Sequence, residues 1–207
     1  MKIAVVSEFT ADEVAVKILV DAVLGAPTDL MASRRWRPRG WPSVINLLPT
    51  IIKDLHYNTD VEGLVVVVDS DDSPTHIAAH REMNPDCRLC QLQRIASAEI
   101  LRLTSVPTRP SIKFAFGLAV PSIEAWYQCG LNPHVNEATW SRRLQGERIT
   151  YDRISLKASA YGSDRVSNST KTDKAREAAY RLTTRLDVLE ALFPGGFGTF
   201  VRYLKSW

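Results

Sequence analysis

The chain has 207 residues, 45% of them apolar and 24% charged, enough for one substantial core. Lys and Arg number 26 against 23 Asp and Glu, a net charge of +3 that is too mild to demand a polyanionic partner. The run Leu64–Val68 falls far short of the roughly 20 apolar residues of a membrane span, and three cysteines give no disulfide framework.

Lys2 to Ser7 reads as a short buried strand, because Ile3 to Val6 is continuously apolar and stops at a polar cluster. Its apolar stretch is too short for a signal peptide and runs into Glu8, so a cytosolic protein is expected. Thr10, with Glu13 three residues on, is placed to cap a helix that ends at Gly25 and Pro27. A second strand is expected over Thr28 to Ser33, then an exposed loop from Arg34 to Pro42. Helical spacing follows over Val44 to Leu55, interrupted by Pro49.

Val61 to Asp69 is the clearest strand, apolar on both faces, and stops at Asp69-Ser-Asp-Asp72. Cys87 to Leu103 reads as a helix, Ser111 to Leu118 as a strand, and Pro121 suits the first turn of a helix over Ser122 to Cys129. Beyond Gly130 the pattern weakens. Asn136 to Arg143 has helical character, Ile149 to Asp164 has no clear period, and Ser163 to Thr172 reads as a polar loop. A last helical region is expected from a Thr172 cap through Leu186, broken at Phe193-Pro-Gly-Gly196, with a short helix after it. Strands alternating with helices predict an α/β fold: a mostly parallel, Rossmann-like sheet flanked by helices over residues 1–130, and a mainly helical extension over 131–207 packed on it.

Functional residues of such sheets sit beyond the carboxyl ends of the strands, where Glu8, Asp69 and Asp71 fall. Three carboxylates there repel one another and lose solvation unless a cation neutralises them. Mg²⁺ or Mn²⁺ is the expected ion, with Asp12, Glu13 or Asp72 available to complete a second site. An isolated Asp-x-Asp at a strand end is more commonly a solvated loop or a helix cap; Glu8 on a neighbouring strand sets this one apart.

On these residues the chain resembles the Toprim family of primases, topoisomerases and old-type nucleases. Glu8-Phe-Thr-Ala-Asp-Glu13 stands where the family has Glu-Gly-x-Thr-Asp-Glu, with Phe9 at the usual Gly. Val65-Val-Val-Val-Asp-Ser-Asp71 stands for its Asp-x-Asp strand. Ala119-Val-Pro-Ser-Ile-Glu-Ala-Trp126 and Phe193 to Leu204 resemble segments of small stand-alone bacterial Toprim-like proteins, some found beside ABC-type ATPases. The resemblance implies divalent-dependent cleavage of DNA or RNA, with Glu8, Asp69, Asp71 and Glu124 catalytic. It also implies a lysine aiding the transition state, for which Lys113, Lys171 and Lys174 qualify, and an ABC-type ATPase as a candidate partner. Glu124 has an equally good structural role as an acid at a helix N-terminus.

Arg34, Arg35, Arg37 and Arg39, interleaved with Trp36 and Trp41, suit a loop that tracks phosphates and stacks bases, with Lys171 and Lys174 as further nucleic-acid contacts. The tryptophans serve equally well as packing anchors. Cys87-x-x-Cys90 follows His76-x-x-x-His80, four soft ligands within fifteen residues. Convergence requires a sharp fold-back between Met83 and Asp86, so reduced thiols without zinc are expected. Two rivals to a nuclease stay open: a non-catalytic subunit binding nucleic acid or an ATPase, and a receiver-like signalling domain phosphorylated on Asp69. A homo-oligomer is compatible with all three.

Overall fold

A computed structural model describes residues 1–31, 36, 38–80, 84–107, 109–163 and 166–207. The expected α/β architecture is present. Strands β1 (Lys2–Val6), β2 (Asp29–Leu30), β3 (Gly63–Asp69) and β4 (Lys113–Ala119) form an all-parallel sheet in the order β2-β1-β3-β4. All seven β3 residues are buried, as its unbroken apolar run requires when helices cover both faces.

Helix α1 (Thr10–Leu24) buries Ala11, Ala15, Val16, Leu19 and Val20 and ends at Gly25 in the left-handed conformation. Thr10 is its first residue, not its cap: the N-cap is Phe9, which makes no capping hydrogen bond. The predicted second strand shrinks to two residues, and Ala32 and Ser33 lie outside the described residues. Helix α2 (Trp41–Asn58) runs unbroken through Pro49, because buried Val44, Leu48, Ile51, Ile52 and Leu55 pack on both sides of it and outweigh one lost backbone bond. Helix α3 (Arg88–Ile100) packs beside α2.

After β4 come α4 (Ile123–Tyr127), α5 (Glu137–Leu144), α6 (Arg153–Tyr161), α7 (Asn168–Leu182), α8 (Leu186–Leu192) and α9 (Phe197–Lys205). Pro121 precedes α4, whose N-cap is Ser122. The unassigned stretch before Asp164 holds α6, started by an Asp152–Ser155 capping box. The last helical region begins earlier than expected. Ser167 accepts from the Thr170 N–H at 3.2 Å, while the Thr172 hydroxyl donates inside the helix to Asn168 O. Helix α7 packs along α1 and α9 lies on β4, so the C-terminal extension completes the covering of the sheet. Its large side chains, Phe193, Phe197, Phe200 and Leu204, join the same core as β1 and β3. Among the described residues, no helix is long and apolar enough to cross a membrane.

Candidate acidic site at the sheet switch point

From β1 the chain moves out to β2 on one side and returns to β3 on the other. The crevice between the carboxyl ends of β1 and β3 is therefore the switch point where ligands of open parallel sheets bind. Glu8 lies two residues past β1 and Asp69 ends β3. The Asp69 N–H donates to Glu8 Oε1 at 3.0 Å, tying the two strand ends together. Asp69 Oδ1 accepts from the Ile123 N–H at 2.9 Å, which brings the first turn of α4, and Glu124, to the same place. Asp12 comes from the first turn of α1.

Glu8, Asp12, Asp69 and Glu124 are all buried and line one cavity of about 920 Å³. Its wall also carries Glu13, Arg39, Lys157, Lys171, Phe9 and Tyr161. Five carboxylates against three cations leave the wall a formal excess of two negative charges. Burial, then Glu124 and Glu8, push the Asp12 carboxyl well above its ordinary value. Asp69 is raised by burial first, with Glu124, Glu8 and Asp12 adding to it. Glu8 is also raised by burial, against the opposing pull of the Asp69 N–H and Arg88. The Tyr161 hydroxyl is driven upward by burial and by the same acids. Glu124 Oε2 is buried and has no hydrogen-bond partner. A wall of this kind favours a bound cation, and carboxylate oxygens suit a hard divalent ion.

Asp71 is placed differently. Its φ of +50° turns it away from the direction of the strand. Its carboxylate meets Arg88 Nη2 at 2.8 Å and Arg153 Nη2 at 2.6 Å. Its backbone is held as well, by Pro121 O at 2.9 Å and by the Trp140 indole N–H at 3.1 Å. Asp72 is exposed and pairs with Arg143 at 3.0 Å. Neither lines the cavity.

Arg88 went unremarked in the sequence and is the hub of this region. It donates to Asp69 O at 2.7 Å, holds Asp71, lies 3.6 Å from Glu8 Oε1 and stacks 5.1 Å over the Trp41 ring. A cation in the first turn of a helix opposes the helix dipole, which signals a need for nearby acids. Lys157 and Tyr161 were hidden because α6 buries only Leu156 and Tyr161 and so has little apolar period.

Of the predicted nucleic-acid contacts, Arg39 and Lys171 line the cavity, Lys174 pairs with Glu177 at 3.5 Å away from it, and Arg34, Arg35 and Arg37 lie outside the described residues. Trp36 is buried and Trp41 half-buried against the core, so both are packing anchors rather than stacking platforms. Lys113 starts β4, at the opposite edge of the sheet, and bonds Trp207 O. That position rules it out as a partner of the acids.

No family model matches the chain, and neither the curated proteins nor the solved structures contain a match.

Proposed function

We propose that the protein is a Toprim-like, divalent-dependent phosphodiesterase acting on nucleic acid. The observation that carries this reading is the convergence of Glu8, Asp12, Asp69 and Glu124, from four separate elements, on one cavity whose wall also bears Arg39, Lys157 and Lys171. Mg²⁺ or Mn²⁺ in such a site supplies charge neutralisation at the scissile phosphate and an acidified water. Glu8, Asp12, Asp69 and Glu124 are the residues to hold it, and the uncompensated Glu124 Oε2 fits that role. Arg39, Lys157 and Lys171 bind the phosphates on either side of the cleaved bond. Tyr161 shares the cavity wall with Glu124. Phe9, 54% exposed on the cavity rim with Lys157 Nζ 5.9 Å from its ring, offers a face for one base. In this role Phe9 replaces the close backbone approach of the family glycine by stacking.

Asp71 favours a second reading. Two arginines already neutralise it, leaving the site one carboxylate short of the family pattern, as a non-catalytic nucleic-acid or ATPase-binding subunit would tolerate. The test is incubation of the pure protein with labelled single- and double-stranded DNA and RNA, with Mg²⁺ or Mn²⁺, alone and with a candidate ABC-type ATPase. The nuclease reading expects cleavage that Asp69→Asn and Glu124→Gln abolish. Binding without cleavage of any substrate establishes the second reading.

A further inference from the structure

The chain leaving the acidic turn Asp69–Asp72 carries His76 and, in a single 3-10 turn (Ala78–His80), His80. It then returns to α3 through Asn84, whose side-chain oxygen accepts from the Asp86 N–H at 2.9 Å and the Cys87 N–H at 3.2 Å. This fold-back is the one the sequence did not predict. It places Cys87 at the N-cap of α3 and Cys90 one turn later on the same face. One ligand atom from each of His76, His80, Cys87 and Cys90 lies within 4.8 Å of all the others. Among the described residues these four, and not the carboxylates spread around the cavity wall, form the tight ligand cluster.

We infer that His76, His80, Cys87 and Cys90 bind a structural zinc ion that fastens the segment after the acidic turn to the first turn of α3. His76 Nδ1 lies 3.6 Å from the sulfur of Cys87 and 3.6 Å from that of Cys90. Tetrahedral zinc, with bonds of about 2.3 Å to sulfur and about 2.0–2.1 Å to nitrogen, sets its nitrogen and sulfur ligands about 3.6 Å apart. A neutral imidazole nitrogen has one hydrogen or one lone pair in the ring plane, so it cannot bond two thiols equally well. Two sulfurs at the same distance from it are arranged instead as neighbours of a shared ion.

Other features agree. His80 Nδ1 is buried with no hydrogen-bond partner. All three cysteines are free thiols, and His76, Cys87 and Cys90 are buried. Two thiolates and two imidazoles form a closed, soft donor set that suits zinc and leaves no position open for a reacting water, so the ion is structural. It does not suit Mg²⁺, which makes this site chemically distinct from the acidic cavity.

The placement gives the ion a consequence for that cavity. Cys87 precedes Arg88, the side chain that holds Asp69 O and Asp71 and approaches Glu8. Fixing the Cys87 backbone fixes the root of Arg88. Gly195 supports the same segment from the other side: a Cβ there would lie 1.9 Å from His76 O, so α9 and its preceding turn close tightly on the loop.

The experiment uses untagged full-length chain grown in zinc-supplemented medium and purified without chelator. Elemental analysis should find one zinc per chain. Treatment with a strong chelator should lower Tm. Zinc added back to a hundredfold above its dissociation constant should restore about 5–11 °C, whereas Mg²⁺ at the same concentration should not. Chain produced with Co²⁺ in place of zinc should show the strong visible bands of a tetrahedral site and a thiolate charge-transfer band that weakens in Cys90→Ser. Folded wild-type protein that holds no zinc and gives only the pale spectrum of octahedral cobalt overturns the inference. The cobalt spectrum of the wild type decides the matter even where Cys87→Ser or Cys90→Ser does not fold.

Discussion

Asp69→Asn separates the charge of the acidic cavity from its packing. The amide keeps an oxygen for the Ile123 N–H, 2.9 Å from Asp69 Oδ1, and removes only the ionisation. Burial, then Glu124 and Glu8, hold the native Asp69 carboxyl well above its ordinary value, whereas the unfolded chain releases that proton near a pH of about 3.9. Without added divalent cation the native state therefore binds more protons than the unfolded one. The contribution is fully present below the unfolded value and is lost as pH rises through the raised native value. Each pH unit in that window takes about 1.4 kcal/mol from the wild type. For a chain of 207 residues that is about 3–6 °C in Tm. The Asn variant has no such loss, so its Tm overtakes the wild type's as pH rises from 4 to 8. Mn²⁺ at a hundredfold above its dissociation constant works against that gap, raising the wild type by about 2.7 kcal/mol and the variant by much less. Thermal melts of both chains across this range, with and without Mn²⁺, supply the comparison. Groups remote from the cavity, the His–Cys cluster among them, are common to both and cancel in the difference, while the neighbouring acids lose part of their own upward push in the variant, which widens the gap in the same direction. Parallel pH profiles together with equal responses to Mn²⁺ would mean that Asp69 carries neither the raised proton nor the ion.

Three further outcomes follow from the same geometry. Arg88→Gln leaves Asp71 to Arg153 alone and takes from Glu8 its nearby guanidinium, and should cost up to about 3 kcal/mol in chemical denaturation, the low end for breaking a buried pair. Arg153→Gln, which removes a more exposed partner and leaves Arg88 in place, should cost clearly less, and equal losses would contradict the central role given to Arg88. Burial raises Glu137 to about 7 despite the Gly195 N–H that it accepts at 2.7 Å, so its contribution, complete below its ordinary 4.5, is lost as pH rises through about 7. Glu137→Gln should melt higher than wild type at pH 8 and show no such gain at pH 5. In nucleic-acid binding, Arg39→Gln and Lys171→Gln should each flatten the slope of log affinity against log salt by about one. Lys174→Gln, already engaged with Glu177, should leave that slope unchanged.

The parts of this molecule readable from sequence are those where one force dominates. Ile3–Val6 and Leu64–Val68 are continuously apolar because helices cover both faces of β1 and β3, and a parallel sheet sends whatever follows such strands to one edge. Glu8 and Asp69 were located by that rule, and Glu124 through the resemblance. Asp71 was not, because a single left-handed residue decides which way its carboxylate faces, and nothing in Asp-Ser-Asp announces a φ of +50°. The four His–Cys ligands were named, but their convergence was not expected, for a similar reason. Pro85 was read as permitting a turn, while the feature that makes it is the Asn84 side chain bonding the next two free N–H groups before α3. Helix α6 and the start of α7 carry capping signals, Asp152 and Ser167, on helices with few buried residues. Polar caps without an apolar stripe look like loop.

The claim that matters most is that the carboxylates at the switch point hold a divalent ion. Anomalous scattering from a crystal soaked in Mn²⁺ tests it directly. A peak is expected in the cavity between Glu8 and Asp69, within reach of Asp12 or Glu124. A well-ordered crystal with no peak there, or with Mn²⁺ bound only at exposed acids such as Asp72, would contradict it.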